Sequence, residues 1–175
     1  MIINKKGFTL IELLIVIAII AILASVIFVA LDPLTRFRDS RDSARWQGVS
    51  ALATAIKVDQ VDNGGDYLTA IKNMSAGTVY MIVDGAMNAG CDDHDGDDGI
   101  DCDVGGDSSC VNLEDLVTEG YLGDVPVSLA GEVSWDDGSS DFDEGTGYTI
   151  EKESTGIIHV RACESENSIE IVISR

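Results

Sequence analysis

The stretch "KKGFTLIELLIVIAIIAILASVIFVALDP", Lys5 to Pro33, contains an unbroken run from Phe8 to Leu31 that is apolar or small at nearly every position. As a helix this run spans roughly 36 Å at about 1.5 Å per residue, more than the roughly 30 Å hydrocarbon core of a bilayer. It is longer than the apolar core of about 7–15 residues in a cleaved secretory signal. The expectation is a retained membrane helix. Glu12 is the exception in the run, a carboxylate one turn in from the start. Lys5 and Lys6 favour the cytoplasm for the N-terminal end. Arg36, Arg38, Arg41 and Arg45 follow the far end closely, so basic residues alone do not orient the segment.

The rest of the 175-residue chain is acidic, and the formal net charge is −20. From Asn73 to Glu151 there are 20 Asp and Glu and no Lys or Arg. Such a surface repels nucleic acid and anionic lipid and attracts cations or basic partners. All 4 cysteines, Cys91, Cys102, Cys110 and Cys163, lie in this part. An even count in an exported domain reads as two disulfides and places the head outside the cytoplasm.

Working outward, Asp32-Pro33 reads as a break followed by a restart, Asp capping and Pro occupying the first helical position. Phe37, Ala44, Gly48, Ala51, Leu52, Ala55 and Ile56 then recur at helical spacing as one apolar stripe, with Asp39, Asp42 and Lys57 on the polar face. Asn63-Gly64-Gly65 is the expected stop. Beyond it, Thr78–Val83 is a strand candidate. A short helix is expected within Val111–Pro126, with Asn112 as cap and Gly120 as stop. Three β-branched runs, Gly147–Lys152, Gly156–Cys163 and Ser168–Arg175, predict an antiparallel meander. Its apolar face needs a cover, and the amphipathic helix supplies one. The domain organisation is therefore a leader over 1–7, a membrane helix over 8–31, an amphipathic helix over 32–63 and an acidic head over 64–175.

A carboxylate inside a membrane segment is a functional hypothesis by default. Cutting the chain between Gly7 and Phe8 would create an α-amino group four residues from Glu12, and the two charges would each gain from pairing. "KKGFTLIELLIVIAIIAILA" closely resembles the N-terminal segment of the type IV pilin and pseudopilin superfamily. The resemblance covers residues 5 to about 31 specifically and the helix to about 61 more loosely. It implies that a membrane prepilin peptidase cleaves after Gly7 and methylates Phe8. It also implies that Glu12 compensates the Phe8 amine of a neighbouring copy during assembly on an inner-membrane platform. The partners are thus other copies of the chain in a homo-polymer, the peptidase and the platform. The first proline falls at Pro33, whereas such chains often carry one near the middle of the apolar run. The implied fold is α+β and pilin-like, a long N-terminal helix packed on a small antiparallel sheet. The implied role is a structural filament subunit, anchored in the membrane first and then assembled with its head outside. Alternatives are a type II secretion pseudopilin and, from another class, a single-pass calcium-binding surface protein.

Two further features stand apart from the leader. "CDDHDGDDGIDCD", Cys91–Asp103, alternates acids with glycines in the manner of an oxygen-rich calcium loop. Asp93, Asp95, Asp97, Asp101 and Asp103 are the candidate ligands, although the glycine falls one position late for an EF-hand and no closing Glu follows. A solvated acidic loop is the competing reading. "DDGSSDFDEG", Asp136–Gly145, is a second acidic turn. Four cysteines allow three connectivities, and spacing slightly favours Cys91–Cys102 with Cys110–Cys163. The histidines are His94 and His159 alone, and no nucleophile, zinc or phosphate-loop motif is present. No enzymatic activity is expected.

Overall fold

The computed structural model describes residues 7–83, 85, 91, 102, 104–106, 108–129, 145–167 and 170–175. The chain divides into two units, residues up to Phe37 and Arg38–Arg175.

The first helix, α1, runs from Leu10 to Leu31 and is apolar on every side. Every large apolar side chain from Phe8 to Phe28 is at least 45% exposed. Many of these residues are Ile and Val, weak helix formers in water. In lipid the same residues hold a helix, because every backbone polar group must then be satisfied within the segment. Asp32 ends α1 in the left-handed region, φ 36°, and α2 restarts at Pro33 and continues to Asp62. The Thr35 hydroxyl donates to the Asp32 carboxylate at 2.7 Å. Pro33 opens α2 as expected, since proline's missing N–H costs nothing at the first position of a helix, whereas Asp32 serves as the left-handed C-cap of α1 and its carboxylate meets the Thr35 hydroxyl.

α2 ends in a Schellman motif. Gly65 N–H donates to Gln60 O at 2.7 Å and Gly64 N–H to Val61 O at 3.2 Å. Gly64, at φ 69°, takes the left-handed position that glycine occupies without penalty. Two short helices, α3 (Thr69–Lys72) and α4 (Glu114–Thr118), sit among five strands. These are β1 (Val79–Val83), β2 (Cys110–Asn112), β3 (Gly145–Lys152), β4 (Ile158–Ala162) and β5 (Ile171–Ser174). Before α4, the Asn112 side chain accepts from Glu114 N–H at 2.6 Å, and Gly120 follows at φ 84°.

The sheet order is β2-β1-β3-β4-β5. The meander β3-β4-β5 and the β1–β3 pair are antiparallel, whereas β1 and β2 are parallel. The sheet is therefore mixed, and the expectation of a wholly antiparallel sheet is corrected at that edge. A three-residue strand in a half-apolar context carries too little pattern to announce itself. A bulge lies opposite Met81–Val83, where Gly147 takes φ 72°. The layout is the α+β, pilin-like one: a long N-terminal helical segment, then a small five-stranded sheet.

Val49, Leu52, Ala53 and Ile56 of α2 pack with Ile82, Val111, Ile150, Ile158, Val160 and Ile171 of the sheet. Met81 and Val83, alternating with Ile82, form a second cluster with Cys91 and Cys102 on the other face. The stripe read from sequence is partly corrected. Phe37 is 63% exposed and Ala51 is also exposed, while Asp42, Arg45 and Asp59 are buried. The buried line runs Asp42, Arg45, Val49, Leu52, Ile56, Asp59, a spacing of three and four that includes charge.

Candidate functional site

The chain around Gly7 and Phe8 precedes the helix. Gly7 is exposed with no atom near the position a side chain would take, and Phe8 is 80% exposed. Thr9 is the N-cap of α1, extended at φ −81° and ψ 152°. Its hydroxyl oxygen accepts from Glu12 N–H at 3.3 Å. In return Glu12 Oε2 accepts from Thr9 N–H at 2.8 Å and from the Thr9 hydroxyl at 2.7 Å. This is a capping box, two orphan donors satisfied reciprocally at a helix start. It needs a hydroxyl and a carboxylate three residues apart, which "TLIE" provides. The box fixes the Glu12 carboxylate over the first turn, at the positive end of the helix dipole. Both bonds that the Glu12 carboxylate accepts from Thr9 fall on Oε2.

At the head, polar residues on α2 hold the connection after β4. Arg45 is fully buried and uses all five of its guanidinium N–H groups. Nε donates to Ser128 Oγ at 3.1 Å, and Nη1 donates to Asp42 at 3.0 Å and Glu166 at 2.9 Å. Nη2 donates to the Leu129 carbonyl at 3.1 Å and to Glu164 at 3.0 Å. Arg41 forms a bidentate pair with Glu166. The Asp42 carboxylate accepts from the backbone N–H of Glu166 at 3.0 Å and of Asn167 at 2.8 Å. Burial works against the Arg45 charge, and the surrounding carboxylates outweigh it, so its pKa is pushed up. The bond from Arg41, joined by that from Arg45, holds Glu166 below the usual carboxylate range against the opposing effect of burial. Sequence reading placed Asp42 on the solvent face and missed this cluster. The signal available was Arg41 and Arg45 one turn apart with Asp42 between them, facing two acids in "CESEN".

The cysteines pair as Cys91–Cys110 and Cys102–Cys163, with Cα separations of 5.6 and 4.9 Å. The pairing favoured by spacing, Cys91–Cys102 with Cys110–Cys163, is corrected. Cys110 opens β2 and Cys163 follows β4, and each receives one end of the acidic segment. The proposed calcium ligands Asp93, Asp95, Asp97, Asp101 and Asp103 lie outside the described residues, as do 136–144 of the second acidic turn. Among the described residues no three His, Cys, Asp or Glu side chains converge on a metal position. His159 bridges Glu153 at 2.8 Å and Ser174 at 2.7 Å, fastening β5 to β4 across the end of β3. That bond, and one from Thr155, lower the Glu153 pKa.

Residues 2–28 match the prokaryotic N-terminal methylation motif, the prepilin-type signature of type IV pilins and pseudopilins. No curated protein and no solved structure matches the chain. The motif implies processing by prepilin peptidase and assembly into a pilus-like polymer, a structural role. The apolar helix from Leu10 is long enough to cross a membrane, which fits an anchored protein.

Proposed function

We propose that the chain is a structural subunit, a pilin, of a type IV pilus-like filament. One observation carries the reading: the segment bearing the methylation motif is a helix uncovered on all sides, with one carboxylate held at its start by a capping box. Cleavage after Gly7 leaves an ammonium on Phe8. In an apolar bundle an unpaired carboxylate is costly, on the order of 3 kcal/mol at a bilayer centre and less near its surface. Glu12 therefore gains most where a second copy brings its Phe8 ammonium alongside. Apolar contact gives no register along a uniformly greasy helix, whereas a single charge pair does, as a polar residue does in a coiled-coil core. The head stands outside the cytoplasm, where disulfides persist. The same leader would serve a type II secretion pseudopilin, and the place where filaments accumulate separates the two.

Calcium binding by Asp93, Asp95, Asp97, Asp101 and Asp103 is the second part of the proposal. It is supported by seven Asp between Asp92 and Asp103 in a segment tied down by disulfides at both ends. Close carboxylates without a counter-ion repel one another.

The test of the main reading is intact-mass analysis of sheared surface filaments, with Glu12→Gln in parallel. A chain starting at methylated Phe8, and no filaments from the variant, are expected. An uncut chain confined to the membrane fraction would refute it.

A further inference from the structure

Away from the Arg45 cluster, the last turn of α2 carries two carboxylates, Asp59 and Asp62, and no basic residue. The carbonyl groups of a helix end make it the negative pole of the dipole, so acids are the side chains least suited to it. Asp62 is exposed, and its Oδ2 accepts from the Tyr121 hydroxyl at 3.2 Å. Burial pushes the Tyr121 pKa up, and the bond to Asp62 and the charges of Asp62, Glu119 and Asp59 push it the same way. Three carboxylates thus act on one hydroxyl. Lys57, the basic residue nearest in the sequence, directs its Nζ elsewhere, to Gln60 at 2.8 Å and the Tyr67 hydroxyl at 2.9 Å.

Asp59 supplies a second and independent observation. Its side chain is fully buried. Oδ1 accepts from the Asn63 side-chain amide at 2.7 Å, and the same amide donates to the Asp59 carbonyl at 3.1 Å. Both amide protons of Asn63 are then spent. Oδ2 has no hydrogen-bond partner among the described residues. Buried carboxylates are found paired or coordinating a metal ion, because an ionised group out of water is otherwise too costly to keep. A water at Oδ2 would supply a hydrogen bond and leave three like charges at the negative end of a helix. A cation answers both needs.

We propose that the C-terminal end of α2 binds a singly charged hard cation, of the sodium class, through Asp59 Oδ2 and the Asp62 carboxylate. Ligand count selects the valence. Calcium takes about six to eight oxygens, several of them from carboxylates, and among the described residues no three acidic side chains converge on one position. Two carboxylates beside the carbonyl groups of a helix end are a donor set that suits sodium. The bound ion neutralises the end of α2 and ties it to the turn that carries Tyr121. This inference concerns the head alone and does not depend on the filament reading.

The experiment is thermal unfolding of the full chain in detergent with EDTA, in sodium chloride and in N-methylglucamine chloride at equal ionic strength. The organic cation screens the acidic surface equally and is too large to reach a buried oxygen. Tm should be about 4–7 °C higher in sodium when the ion stands tenfold above its Kd. Asp59→Asn keeps the shape and removes the charge, and it should erase the difference between the two salts. Glu170→Gln, which removes one charge from an exposed side chain of the same head, should leave the difference intact. Equal Tm values for the parent in both salts would overturn the inference and assign Oδ2 to a water. A difference that survives Asp59→Asn would overturn it in favour of a general counter-ion effect. If Asp59→Asn does not fold, the exposed Asp62→Asn takes its place: a difference at least halved supports the site, and an unchanged one overturns it.

Discussion

Replacing Arg45 by Met keeps the side-chain length and removes the charge from the centre of the head's polar cluster. The structure sets the scale. Arg45 is fully buried, and the substitution deprives Asp42 (4% exposed) and Glu164 (5% exposed) of the cation they surround. Removing one partner of a buried pair costs roughly 3–5 kcal/mol, because the remaining charge is left uncompensated. For a unit of this size each kcal/mol moves Tm by about 3–5 °C, so the drop should be about 10–20 °C at neutral pH. The assay is thermal unfolding of the full chain in detergent, followed by near-ultraviolet circular dichroism. The pH dependence gives a second readout. In the native chain Glu166 is held below its ordinary pKa. Its contribution is therefore complete above the unfolded carboxylate value and drains away as pH falls through the lowered one. In the variant Arg41 still pairs with Glu166, but Asp42 and Glu164 repel one another without the Arg45 guanidinium between them, so protonation relieves the variant while it weakens the parent. The gap in Tm should narrow steadily below about pH 5. A drop under 3 °C at neutral pH, or a gap that widens in acid, would refute the reasoning.

Gly48 lies directly beneath the Tyr148 ring, and an added Cβ would collide with its hydroxyl end. Gly48→Ala should therefore lose about 1–3 kcal/mol to overpacking despite the better helix propensity; Tyr148→Leu in the same chain should recover part of it, and a stabilised single variant would contradict the close approach. Thr9→Val removes the hydroxyl of the capping box, so filament yield should fall while the Tm of the head stays within 1 °C; an unaffected yield would show that Glu12 needs no positioning by Thr9. Non-reducing peptide mapping should recover Cys91 linked to Cys110 and Cys102 linked to Cys163. Deleting the second pair, which spans 61 residues against 19, should cost more, about 4 against about 3 kcal/mol. Millimolar calcium should raise the Tm of the full chain, and Asp95→Asn with Asp97→Asn should abolish the rise; a curve indifferent to calcium removes the metal reading.

The N-terminal half was legible because its signals are local. Twenty-odd apolar residues, Asp-Pro and Asn-Gly-Gly each act on the backbone within one or two turns, and the helix ends fall where those residues put them. The meander was legible for a related reason, since each of its strands has a full β-branched run bounded by turn formers. β2 was not, because Cys110–Asn112 is a strand only by virtue of β1 lying beside it. The cysteine pairing failed on the same ground: it depends on where the two ends of the acidic segment come to lie against distant parts of the fold, and spacing measures chain length alone. Asp42 was misplaced because hydropathy assigns it to water. Its burial becomes affordable only with Arg45 and two backbone N–H groups from residues more than a hundred positions away.

That long-range dependence has a consequence for how the head is held on its helix. The apolar contacts of Val49, Leu52 and Ile56 with the sheet favour burial, and shifting α2 by one helical turn would still present apolar side chains. The five donors of Arg45 do not tolerate such a shift: their acceptors come from residues 128–129, from the connection after β4 and from α2 itself. A displacement of about 5 Å, one turn of helix, would strand buried charges at the cost already given for Arg45→Met. The polar cluster therefore fixes the register of the sheet on α2, just as Glu12 is proposed to fix the register of one α1 against another. On the head, an otherwise permissive apolar surface is given a single allowed position by one charged residue most of whose partners lie on other segments.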